Sequence, residues 1–158
     1  MKNKRSTILL VEDTPTDVIF IQRAFQDVNL VNYLQVVSDG EQAIAYLSGA
    51  GVYANRACYE LPALILLDLK LPRKNGFEVL EWLRQQPGLR RLPVVVLTSS
   101  DDSSDIARAY DQGANSYLVK PFAYQKLVEM VMALKLFWVI LAEPPEIDAA
   151  DLQELHRR

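Results

Sequence analysis

Residues 62–76 read PALILLDLKLPRKNG. The first six are a continuous apolar run, which suits a strand buried on both faces at the centre of a parallel sheet. The run stops at Asp68, and 69–75 reads as a loop. Gly76 then leads into a helix that turns Phe77, Val79, Leu80 and Leu83 inward, with Trp82 flanking the packed face. A carboxylate at the carboxyl end of a central parallel strand stands where open α/β sheets bind their ligands.

The same alternation extends in both directions. Upstream, TILLV (7–11) is a short strand halted by Glu12 and Asp13, and TPTD (14–17) offers turn and cap chemistry. Val18, Ile21, Phe25 and Val28 then mark one helical face. YLQVV (33–37) reads as a second strand, and Asp39-Gly40 opens a helix that buries Ala43, Ile44 and Leu47. The segment SGAGVYANRACYEL (48–61) is long for an αβ loop, where about 2–6 residues are usual. It reads as a helix end plus an inserted surface loop with no assigned role.

Downstream, Pro87-Gly88 stops the third helix and PVVVL (93–97) is a fourth strand. The loop 99–104 is polar and acidic, and 105–113 is a helix whose Gly113 suits the C′ position. SYLV (116–119) is a fifth strand, Lys120-Pro121 interrupts it, and 124–141 forms a long final helix ended by Pro144-Pro145. Five strands alternating with five helices predict an α/β fold, a doubly wound parallel sheet with helices on both faces.

Composition narrows the function classes. A chain of 158 residues, half of them apolar, fits one domain. The expected division is a domain over 1–142 with the insertion at 48–61, a polar tail over 143–158, and no effector domain. A formal net charge of −3 offers no nucleic-acid surface. Lys2, Lys4 and Arg5 at one end, and His156, Arg157 and Arg158 at the other, read as solvated termini. The single cysteine, Cys58, excludes an internal disulfide and a thiolate metal site, so a reduced, cytoplasmic protein is expected. The apolar run 8–11 is too short for a signal peptide. The run 131–142 carries Lys135 and falls short of the roughly 20 residues of a membrane span, so no membrane is expected.

The chemistry collects at the carboxyl ends of the strands. Strand one delivers Glu12 and Asp13, strand three Asp68, strand four Thr98 followed by Ser99 and Ser100, and strand five Lys120. Three carboxylates, a hydroxyl and an ammonium would meet at one edge of the sheet.

The elements LLVED, LLDLKLPRKNG (an aspartate with proline four and glycine eight residues on), VVVLTS and YLVKPF, in this order and spacing, resemble the receiver domain of two-component response regulators. The resemblance covers residues 5–140. Within the family, the long loop before strand three and the tail are most similar to the single-domain regulators that serve cyanobacterial phytochrome kinases. The resemblance implies a flavodoxin-like receiver fold with strand order 2-1-3-4-5, and a switch rather than an enzyme in the ordinary sense. Asp68 would take a phosphoryl group from a histidine kinase as an acyl phosphate, and the domain would support its own Mg²⁺-dependent phosphorylation and dephosphorylation. It also implies that Asp13 and Asp68 bind Mg²⁺ (or Mn²⁺) directly, with Glu12 direct or through water and the backbone carbonyl of Lys70 as a further ligand. Such a cation would relieve the repulsion among the three acids. Lys120 and Thr98 would meet the phosphoryl oxygens, Tyr117 would swing as an aromatic switch coupled to Thr98, and Lys120–Pro121 would be cis. Lys70 and Ser100 would tune the lifetime of the acyl phosphate.

Plainer readings stand beside these. Glu12-Asp13 could cap a helix, Asp68 a loop, and Lys120 could be a surface lysine; their meeting at one edge favours the site. Thr98 could be an ordinary strand residue and Tyr117 a half-buried strand tyrosine. Around Trp138 the stretch LFWVIL (136–141) is apolar on every side. Its outer face needs cover, either from a second copy through strand five and the fourth and fifth helices, or from the tail over 147–155. With no DNA-binding module following, output is expected through protein contacts or phosphorelay. Three rivals remain: an unphosphorylated binding module of this fold, an aspartyl-phosphate phosphatase, and a flavin binder. The phosphatase wants a second acid two residues after its nucleophile, where Lys70 stands. The flavin binder wants a phosphate loop after strand one, where Glu12-Asp13 would repel a phosphate.

Overall fold

A computed structural model describes residues 6–141, 145–147, 149–155 and 157. The basic N-terminus, Pro144, His156 and Arg158 lie outside the described residues. Five parallel strands, β1 (Thr7–Val11), β2 (Tyr33–Val37), β3 (Leu64–Leu67), β4 (Val94–Thr98) and β5 (Ser116–Val119), lie in the order β2-β1-β3-β4-β5. The helices are α1 (Pro15–Asp27), α2 (Gly40–Ser48), α3 (Gly76–Gln85), α4 (Ser103–Asp111), α5 (Tyr124–Leu134) and α6 (Ala149–Leu155).

The two-residue period of a strand sorts the apolar runs into two cores. Leu9, Val11, Ile65, Leu67, Val94 and Val96 face α2, α3 and α4. Their neighbours Ile8, Leu10, Leu64, Leu66, Val95 and Leu97 face α1 and α5. Runs that are apolar at every position are therefore buried on both sides, as a central parallel strand requires.

The structure departs from the sequence reading at several ends. β3 begins at Leu64, not 62, because Pro62 has no amide to donate and only Ala63 reaches back, to the Thr7 carbonyl at 2.8 Å. α4 begins at Ser103, where Asp102 accepts a bond from the Ser104 amide as N-cap. The Lys120–Pro121 bond is trans, since no peptide among the described residues is cis. This corrects the cis geometry implied by resemblance; trans is the lower-energy form of an X-Pro bond, and the Lys120 amide extends the β4–β5 ladder to Thr98 O at 2.7 Å. The final helix changes register, running on from α5 as a π-helix over Lys135–Leu141, where Lys135 Nζ reaches the Val28 carbonyl at the end of α1 (2.7 Å).

The insertion at 48–61 is folded rather than loose. A 3-10 turn, Gly51–Ala54, follows α2, and the Arg56 guanidinium donates to the carbonyls of Tyr46 and Leu47 at 2.6 and 2.7 Å. It thus takes up the Leu47 carbonyl at the helix end and adds a second donor to that of Tyr46, which also accepts the Gly49 amide at 3.2 Å. Tyr46, Tyr53 and Tyr59 pack edge-on and tilted around it, and the Tyr46 hydroxyl donates to Glu60 O. Cys58 is exposed. Among the described residues, no helix is long and apolar enough to cross a membrane.

Candidate functional site

The sheet's carboxyl edge assembles the site. Glu12 follows β1 directly, its amide held by Val37 O, and its Oε1 accepts the Thr14 amide at 3.1 Å. That contact fixes the turn into α1. Asp68 follows β3 with its amide on Val11 O, and its Oδ1 accepts the Leu69 amide at 2.7 Å and the Lys70 amide at 3.5 Å. Its Oδ2 is left facing Lys120 Nζ at 3.0 Å. Gly76 packs against this turn so closely that a Cβ there would lie 2.2 Å from the Asp68 carbonyl oxygen. Glycine eight residues after the aspartate is therefore a steric requirement.

Glu12, Asp13 and Asp68 each present a carboxylate oxygen within 4.8 Å of the others. Glu12 is only 1% exposed and Asp68 6%, whereas Asp13 faces solvent. Burial, together with the nearby charge of Asp68, pushes the Glu12 carboxyl up to about 7 against the opposing pull of Lys120. Three hard oxygen donors crowded at one edge, one of them held back from ionising, fit a divalent cation of the Mg²⁺ or Mn²⁺ kind.

Lys120 answers that negative charge. Its Nζ lies 2.5 Å from Glu12 Oε2, which has no other hydrogen-bond partner among the described residues, and 3.0 Å from both Asp68 Oδ2 and Asp17 Oδ2. Burial works against the ammonium, but the hydrogen bond to Glu12 and the charge of Asp68 outweigh it, and its proton is held more tightly than an ordinary lysine's.

The other residues picked out in the sequence stand around this centre. Thr98 is fully buried at the end of β4, and its Oγ1 accepts a long bond from the Ser100 amide, 3.5 Å. Tyr117 turns inward against the α2–α3–α4 core and donates its hydroxyl to Ser100 O at 2.9 Å. The backbone of Ser100 is thus held at both its amide and its carbonyl, while its hydroxyl donates to Asp105 at 2.6 Å. The Lys70 side chain is exposed. Sequence reasoning missed Asp17, which had been assigned to cap chemistry. Its place four residues after Asp13, on the first turn of α1, was the available signal. It also missed Arg73, which has a positive φ of 67° and pairs with the buried N-cap Asp39 at 3.7 Å, tying the β3–α3 loop to α2.

A family model described as the response regulator receiver domain matches residues 8–132. The chain is 39% identical over 137 residues to the response regulator Rcp1 of Synechocystis sp., covering 87% of this chain and 91% of that one. Among solved structures it resembles the phosphorylated cyanobacterial phytochrome response regulator RcpA, with a TM-score of 0.84 and 39% identity over 90% of this chain and 100% of that one. It also resembles the Mn²⁺-bound form of Rcp1, with a TM-score of 0.81 and 38% identity over 89% of this chain and 99% of that one.

Proposed function

This chain belongs to the response regulator receiver domain family and is a phosphoacceptor of two-component signalling, and on that footing we propose that Asp68 is the acceptor, served by Lys120 and Thr98. The carrying observation is the pairing of Asp68 Oδ2 with Lys120 Nζ inside the Glu12–Asp13–Asp68 cluster. An Asp68 oxygen attacks the phosphorus of a kinase phosphohistidine and the P–N bond breaks. Its electron pair returns to nitrogen, and the imidazole leaves as a neutral ring with the proton on its other nitrogen. Glu12, Asp13, Asp68 and the Lys70 carbonyl would hold Mg²⁺ or Mn²⁺, which would supply charge neutralisation for the incoming phosphoryl oxygens. Lys120 Nζ and the Thr98 hydroxyl, both already at the edge, take up the oxygens of the acyl phosphate. Because Thr98 and Tyr117 both bond the backbone of Ser100, one through its amide and the other through its carbonyl, a move of Thr98 toward the phosphoryl group is passed to β5 and α4 as a shift between two arrangements.

The donor is a histidine kinase of the phytochrome type, a reading supported by the similarity to Rcp1 and RcpA. The exposed Phe20 and Phe122 beside the site, with the half-buried Tyr124 against Phe20, offer it a docking surface. A phytochrome-type kinase labelled on its histidine is expected to pass the label to the wild type and not to Asp68→Asn. Equal transfer from unrelated kinases would contradict the phytochrome pathway.

A second copy covers the outer face of the final helix. Leu118, Met130, Leu134, Phe137 and Trp138 line a groove of about 320 Å³ between β5 and α5, and Phe137 is 65% exposed. The tail is occupied elsewhere, with Ile147, Leu152 and Leu155 packed on the α2–α3–α4 core beside Gly88. An isologous pair burying β5, α4 and α5 would close the groove. Sedimentation equilibrium at micromolar concentration is expected to give a dimer that Phe137→Glu dissociates. A monomeric wild type would overturn it.

A further inference from the structure

The ammonium of Lys120 has three N–H bonds and meets three carboxylates, one from Glu12, one from Asp68 and one from Asp17. The first two belong to the cluster whose oxygens converge within 4.8 Å; Asp17 does not. It stands instead on the first turn of α1, at the mouth of a small cleft it shares with Phe20, Lys120 and Pro121. Its side chain is 36% exposed, against 1% for Glu12. The turn that places it is held by Glu12 itself, through the Thr14 amide.

These partners differ in what they do when the site is loaded. A cation in the cluster competes with Lys120 for Glu12 and Asp68, because like charges cannot share those oxygens at full strength. Asp17 lies outside that competition and keeps its hold on the ammonium. It therefore draws Lys120 toward α1 and offsets part of its charge.

We propose that Asp17 is a positioning residue that takes one of the three bonds of Lys120 and so limits how much of the ammonium serves the phosphoryl group on Asp68. It touches neither phosphoryl donor nor acceptor; it acts through Lys120. The inference rests on the receiver reading above.

The test is the rate of phosphorylation of the full chain at saturating Mg²⁺, with acetyl phosphate and with the less charged phosphoramidate as separate donors. Asp17→Asn is expected to react faster with both donors by about threefold to tenfold, the scale of one charge removed a few ångströms away in a partly hydrated site. Asp17→Glu, which restores the carboxylate, is expected to return to the wild-type rate. In a Lys120→Arg background, whose planar fork cannot reproduce the three-way ammonium contact, the gain from Asp17→Asn is expected to shrink. An unchanged or slower Asp17→Asn with a native thermal midpoint overturns the proposal. So does a gain confined to acetyl phosphate, which would mark simple repulsion of an anionic donor, or a gain undiminished beside Lys120→Arg. If the wild type takes no phosphoryl group at all, the receiver reading falls and this one with it; if the wild type is phosphorylated and Asp17→Asn matches it, only Asp17 falls.

Discussion

Glu12 Oε2 and Lys120 Nζ lie 2.5 Å apart, and each holds its proton more tightly than it would in water. For Lys120 that is the ordinary result of gaining acidic partners. For Glu12 it reflects burial and the neighbouring Asp68, which outweigh the lysine and raise the carboxyl from 4.5 to about 7. A folded-state carboxyl raised in this way favours folding below its unfolded value of 4.5, and the advantage is lost as pH climbs through about 7. The corresponding contribution of Lys120 is lost only above 10.5 and leaves this window untouched.

In EDTA between pH 5 and 8, urea denaturation is therefore expected to show the wild type losing stability relative to Glu12→Gln as pH rises. Parallel curves for the two proteins would contradict it. Mg²⁺ must displace the same proton, so its affinity is expected to fall by up to about tenfold per pH unit below about 7. Titration calorimetry at pH 6 and 8 reads this directly.

Gly76 is expected to tolerate no side chain. A Cβ would sit 2.2 Å from Asp68 O and 2.8 Å from Leu69 Cα, both backbone atoms that cannot rotate aside. Gly76→Ala must therefore displace the acceptor loop itself. Phosphorylation by acetyl phosphate is expected to fall by at least about tenfold, since misplacement by an ångström costs far more than that in positioned chemistry. An unimpaired rate would show that the loop is softer than this packing implies.

Away from the site, Arg84 staples two connections together, the one between α3 and β4 and the one between α4 and β5. Its guanidinium donates to Arg90 O and Leu92 O, twice to Gly113 O, and to Asn115 Oδ1, at 2.7–3.1 Å. Among the described residues no carboxylate pairs with it, and burial pulls its pKa down from the usual arginine value. Arg84→Met would leave those carbonyls unpaired, at roughly 2–4 kcal/mol of stability by urea unfolding. Phosphorylation should persist, because none of these groups faces Asp68.

The tail makes a separate prediction. A Cβ on Gly88 would meet the backbone of Asp151 and Leu152 at 2.9 Å. Gly88→Val is expected to lift α6 and expose Leu152 and Leu155, read as faster proteolysis of the tail and increased binding of a hydrophobic dye. An unchanged digestion pattern would contradict the docking.

How far the chain could be read without its structure follows from the range of each signal. The strands were legible because fully apolar runs such as LILL and VVV admit only two-sided burial, and the βα alternation then puts Glu12, Asp13, Asp68, Thr98 and Lys120 at one edge. Asp17 was hidden by a local explanation. Thr14-Pro15-Thr16-Asp17 looks like capping chemistry, yet Thr14 makes no side-chain cap bond and Asp17 reaches a lysine 103 positions away. The trans Lys120–Pro121 bond, the π register after Leu134 and the docking of α6 on Gly88 depend on tertiary packing that no short window contains. The insertion was legible only as an anomaly of length. Its anchor, Arg56 beneath the end of α2, needs three-dimensional placement to be seen.

The most direct test of the central claim is intact-mass spectrometry after incubation with acetyl phosphate and Mg²⁺, with Asp68→Asn run in parallel. A gain of one phosphoryl group is expected that requires the metal, is lost in alkali as an acyl phosphate is, and is absent from the mutant. A folded, Mg²⁺-binding wild type that gains nothing, or an Asp68→Asn protein that gains as much, would contradict it.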